Sequence, residues 1–172
     1  HGQEGYTGSA IQLAWLEELV IPSEVNIVLL HALNPWGFSH LSRTDDANID
    51  LNRNFRDFSK PLYPNPVYAE LHPALCPDEW NDTTVDWSAK REAIVAERGL
   101  ASFLSGFTGG QFEMPGGMNY GGTAPAWSHE TVAKLLPPLL SNTRKLAFAE
   151  WHTGLGAHGK LCHICLHDPA SA

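Results

Sequence analysis

Positive charge is scarce in this sequence. Its 172 residues carry 11 Lys and Arg against 19 Asp and Glu, a formal net charge of −8. A nucleic-acid surface wants clustered Lys and Arg, so no nucleic-acid partner is expected. Cysteine is scarce too. Cys76, Cys162 and Cys165 are too few, and odd in number, for a disulfide framework. Long apolar runs are missing: "IVLL" and "LLPPLL" fall far short of the roughly 20 residues that cross a bilayer, so no membrane span is expected. The first residue is not Met and no signal-peptide pattern follows it. The compartment is therefore left open, with a soluble cytoplasmic protein the favoured reading.

What is present suits a globular chain with a substantial core. Hydrophobic residues make up 43% and charged residues 17%, and residues 1–172 read as part of one domain. Nine histidines turn attention to metal chemistry. The stretch "TGSAIQLAWLEELV" places Ile11, Ala14, Trp15 and Leu19 at helical spacing, with Thr7 or Ser9 as cap and Pro22 as stop. "VNIVLLHAL" is apolar on both faces, the pattern of a buried parallel strand, and "NPWGF" after it reads as a tight loop. Residues 39–88 are polar and proline-rich and read mostly as loop, pinned by Trp80 and Trp87. A helix is expected over 87–107 with an interruption at Gly99, and another from an N-cap at Ser128. "RKLAFAEWHTGLG" reads as a strand ending at His152. Helices alternating with buried strands predict an α/β fold, with ligands beyond the strand ends.

Three stretches hold chemistry-bearing side chains. "HGQEG" sets His1 and Glu4 two residues apart between glycines, where imidazole nitrogen and carboxylate oxygen can converge on zinc; the alternative is two solvated residues on a chain end. "DANIDLNRNFRDF" holds Asn52 and Arg53 between Leu51 and Phe55, with Arg43 upstream and Arg56 after it. Arginine forks grip carboxylates in bidentate fashion, so this basic island in an acidic chain suits an anionic substrate. "EWHTGLG" puts His152 at a strand end, with Glu150 on the same side of the strand.

Taken in order, "HGQEG" (1–5), "NPWGF" (34–38), "DLNRNF" (50–55), "YGGTAPAW" (120–127) and "HTGLG" (152–156) resemble the zinc carboxypeptidase superfamily, which includes aspartoacylase-like amidohydrolases. The nearest likeness is to a bacterial branch described as a domain of unknown function. This resemblance implies a three-layer α/β/α fold with a mostly parallel or mixed sheet, incomplete at both ends. It implies a Zn2+ ion held by His1, Glu4 and His152, and a substrate carboxylate held by Asn52 and Arg53. Arg43 would stabilise the oxyanion, and Glu150 would stand behind a metal-bound imidazole. The implied reaction is hydrolysis of an amide bond next to a free carboxylate, on a peptide or on an N-acyl amino acid. A non-catalytic binding module of the same fold is the other class.

The family's general-base glutamate follows the third ligand on a later strand. The chain ends 20 residues past His152 without one. Residues 1–172 are accordingly expected to be an internal fragment of the catalytic domain that binds metal poorly and hydrolyses little. The tail "CHICLH" pairs Cys162 with Cys165 beside His163 and His167 but lacks the second half of a zinc knuckle, so a structural or incidental role is expected.

Overall fold

The structure is a computed structural model that describes residues 1–79, 86–154 and 156–162. Six helices occur among them: α1 Gly5–Glu18, α2 Pro35–His40, α3 Leu51–Asn54, α4 Pro66–Leu75, α5 Trp87–Thr108 and α6 Trp127–Leu140. No strand is present among the described residues. The nearest thing to a sheet is one isolated parallel bridge between Gln111 and Tyr120.

This overturns the expected α/β/α sandwich. Both runs read as buried strands, 25–33 and 144–151, lack regular secondary structure. Val25, Val28, Leu30 and Leu33 are exposed, as are Leu146 and Phe148. An apolar run reports a tendency to be buried, but a strand also needs a neighbour to take its N–H and C=O groups. Among the described residues neither run has such a neighbour. The first lies along α1 through side chains instead: Gln12 Nε2 donates to Leu30 O at 3.0 Å, and His31 Nε2 and Ser9 Oγ are 3.0 Å apart.

The apolar core is built by α4 and α5. Val67 and Leu71 on α4 meet Ile94 and Phe103 on α5, flanked by Leu75, Trp87, Val95 and Phe107. The helices approach closely at Gly106, where a Cβ would lie 2.4 Å from the Val67 side chain. Gly99, at φ +83°, breaks α5 where the sequence predicts an interruption. The stretch now seen as α4 was expected to be loop, and "NPWGF" a tight loop; the first is a helix and the second opens one. Asn34 and Asn65 each cap the following helix, accepting from Gly37 N and Tyr68 N, with Pro35 and Pro66 in the first turn. Asn-Pro marks turns and helix starts alike, and helices this short show too little periodicity to separate the two. α6 begins at Trp127 behind Ala126, without a side-chain cap, so Ser128 is a buried helical residue and no cap.

A second interior is polar. Asn54, fully buried at the end of α3, donates to Gly121 O and Ala124 O, both at 2.9 Å, and accepts from Ala126 N at 2.8 Å. Asp50 N donates to Tyr120 O at 2.7 Å. "DLNRNF" is thus knotted to "YGGTAPAW", which fixes α3 and the segment leading into it.

Candidate metal centre

The turn carrying His1 and Glu4 is seated on α2, and its glycines make the seat. A Cβ on Gly2 would fall 2.2 Å from Gly37 C and 2.5 Å from Ser42 O; one on Gly5 would meet the Phe38 ring at 2.7 Å. Gln3 N donates to Ser42 O at 3.2 Å, and Tyr6 stacks on Phe38 with centroids 4.3 Å apart. Gly37 in "NPWGF" and Gly2 in "HGQEG" therefore face each other across one backbone contact.

From that seat His1 reaches the polar knot. Its Nε2 lies 3.1 Å from Asp50 Oδ1, and its Nδ1 lies 3.2 Å from Glu4 Oε2 and 3.3 Å from Arg43 Nη1. Asp50 and Glu4 can only accept and Arg43 can only donate, so Nε2 donates to Asp50 while Nδ1 faces one acceptor and one donor and serves one or the other according to its tautomer.

His152 arrives from the extended segment at the other end of the chain with the same polarity. Its Nδ1 is 3.2 Å from the same Glu4 Oε2, and its Nε2 is 3.2 Å from Glu150 Oε1. Thr153 Oγ1 donates to Glu4 Oε1 at 3.2 Å. The two imidazoles meet edge to face with centroids 5.8 Å apart. One donor atom from each of His1, Glu4 and His152 lies within 4.8 Å of the other two. Each ring therefore points Nδ1 inward and has a carboxylate behind Nε2, an arrangement that orients an imidazole ligand and raises its basicity.

Asp50 organises this side of the centre. It is fully buried, and Oδ1 also accepts from Asn52 N at 3.0 Å while Oδ2 accepts from Arg43 Nε at 3.2 Å and Nη2 at 2.9 Å. Burial pushes its carboxyl up, but the His1 hydrogen bond and the nearby charges of Arg43, His1 and Arg53 outweigh that and hold it below the ordinary carboxylate range. Sequence reasoning did not assign Asp50 a role. The signal was available, since an Asp just ahead of "LNRN" is a helix N-cap and can serve as one and as a histidine partner together.

The remaining expected residues lie nearby in differing states. Arg43 has two of its nitrogens on Asp50 and the third beside His1 Nδ1. Asn52 and Arg53 line a cleft of about 510 Å³ together with Arg56, Lys60, Tyr63 and Phe112. Arg53 donates from Nε and Nη2 to Thr108 O, at 3.1 and 2.6 Å, and from Nη1 to Asn52 O, at 3.1 Å. Of its five N–H groups, two stay free for a ligand. Cys162 is exposed and free; Cys165, His163 and His167 lie outside the described residues, as does Trp80.

No curated protein and no solved structure matches the chain significantly. A family profile does, over residues 1–172. The chain belongs to the DUF2817 family, described as proteins of unknown function.

Proposed function

We propose that this protein is a zinc-dependent hydrolase of an amide bond next to a free carboxylate, of the zinc carboxypeptidase kind that its motifs resemble. The observation that carries the reading is the convergence of His1, Glu4 and His152 with both Nδ1 atoms inward and a carboxylate behind each ring. Two imidazoles and one carboxylate, with a position left for water, form a catalytic zinc set. The 3.2 Å separations of Glu4 Oε2 from either Nδ1 suit it, since tetrahedral bonds of about 2.1 Å put neighbouring ligand atoms about 3.4 Å apart. Zinc in that position supplies Lewis acidity toward a carbonyl and lowers the pKa of a bound water toward ~7.

The chain's own residues do the rest. Asp50 and Glu150 hold the rings in the tautomer that leaves Nδ1 bare. Arg43, anchored on Asp50, keeps an Nη1 N–H beside His1 Nδ1; once that lone pair is engaged elsewhere, the N–H is available to a substrate oxygen that gains negative charge. Asn52 and the two free N–H groups of Arg53 grip the substrate's carboxylate. Glu4, Asp50 and Glu150 are all engaged with the imidazoles, so the general base is none of these three carboxylates.

Metal content tests the reading more cleanly than turnover does. Because His1, Glu4 and His152 already lie together, we expect, in place of the poor metal binding anticipated from sequence, that the wild-type chain loaded with zinc and desalted retains about one equivalent and that His152→Ala loses at least tenfold in affinity. Undiminished stoichiometric zinc in His152→Ala would remove His152 from the ligand set and overturn the assignment. Peptides with a free carboxyl terminus, compared with N-acyl amino acids, then separate peptidase from deacylase.

A further inference from the structure

The cleft beside α3 carries more positive charge than one carboxylate needs. Arg53, Arg56 and Lys60 line it, against Asp57 as the sole acid among its lining residues, in a chain whose net charge is −8. Asp57 is 3.8 Å from Lys60, both largely exposed, so that pair neutralises little. Arg56 is the unusual member. Its guanidinium stands over three aromatic rings, 4.7 Å from the centroid of Phe112, 5.3 Å from Tyr63 and 5.8 Å from Phe58. Nη2 donates to Pro61 O at 3.1 Å, while Nε and Nη1 are buried with no hydrogen-bond acceptor among the described residues.

Among the described residues no carboxylate pairs with Arg56 or Arg53. A cation enclosed by ring faces is partly stabilised by them, and Asp57, whose carboxyl Arg56 helps hold down, offsets it only at a distance, so its field reaches the adjoining cleft. The three cations are also tethered to different partners: Arg53 to Thr108 O, Arg56 to the rings and Pro61 O, Lys60 to Asp57. Each cation is thus held by its own anchor, an arrangement that can serve two separate carboxylates as well as one. A volume of about 510 Å³ is in the range that holds a small ligand.

From this we infer that the cleft selects a ligand with two carboxylates, the carboxyl-terminal end of a peptide whose last residue is acidic, with Arg56 and Lys60 reading the second charge. The assignment rests on the hydrolase reading for the first carboxylate, held by Asn52 and Arg53; the second follows from the cleft alone. Asn52 joins the two regions, since it lines the cleft and its backbone N–H donates to the Asp50 oxygen that faces His1.

Calorimetric titration of the whole chain in EDTA tests this without metal or turnover, with acetyl-Ala-Glu and the isosteric acetyl-Ala-Gln as probes. The acidic peptide is expected to bind about fivefold more tightly at low salt. The preference should shrink in Lys60→Gln, a change at an exposed side chain that leaves folding intact, and more in Arg56→Gln. Equal binding of the two peptides, binding of neither, or a preference untouched by both substitutions would overturn the inference. Zinc retention with equal peptide binding would sink the dicarboxylate assignment alone. A charge preference in a chain that fails the separate zinc-retention test would sink the metal centre alone.

Discussion

The two halves of the candidate metal centre are built from different material. His1 and Glu4 stand on a polar knot in which Asp50 and Asn54 are fully buried and every oxygen of Asp50 is engaged. His152 and Glu150 come from an apolar, extended segment whose Leu146 and Phe148 face solvent. The His1 side chain is 6% exposed and that of His152 37%. The lesson is that burial here follows hydrogen bonding more closely than hydrophobicity. Polar residues with a complete set of partners are interior, and apolar residues without a backbone partner are not.

Mutations can break or sharpen this contrast. The largest effect is expected from Asp50→Ala, which strands Arg43, the His1 Nε2–H and Asn52 N at once. A loss of about 4 kcal/mol is expected, read as a fall in the urea midpoint. Asn54→Ala should follow at about 3 kcal/mol, because Gly121 O, Ala124 O and Ala126 N lose their common partner. Gly2→Ala forces a Cβ onto the backbone of Gly37 and should cost about 2 kcal/mol, with weakened zinc retention because the His1 turn lifts off α2. At the small end, Phe148→Ser in the exposed flank should move stability by less than about 0.5 kcal/mol. A loss above about 2 kcal/mol there would mean that the flank is buried in solution, and the contrast would fail.

Which polar residues would lie near one another was more legible in the sequence than the fold. The resemblance to the zinc carboxypeptidases implied His1, Glu4 and His152 as ligands with Glu150 behind them, and the structure places these four side chains side by side, while their role as ligands stays a proposal. Polar residues with few alternatives leave a readable trace, because each needs a named partner. Asp50 and Asn54 escaped notice for the converse reason: both lie inside "DLNRNF", where Asn52 and Arg53 had already absorbed the functional explanation. The fold was misread at "VNIVLLHAL" and "KLAFAEW", since strand formation depends on a second chain segment that an apolar run does not encode. The interruption at Gly99 was readable because the amphipathic pattern on both sides is long.

X-ray absorption at the zinc edge, on the loaded wild-type chain and on His152→Ala, addresses the central claim most directly. The account predicts a first shell of nitrogen and oxygen at about 2.0–2.1 Å, with two imidazoles in the wild type and one in the variant. A sulfur shell near 2.3 Å, or two imidazoles retained in His152→Ala, would contradict a centre made of His1, Glu4 and His152.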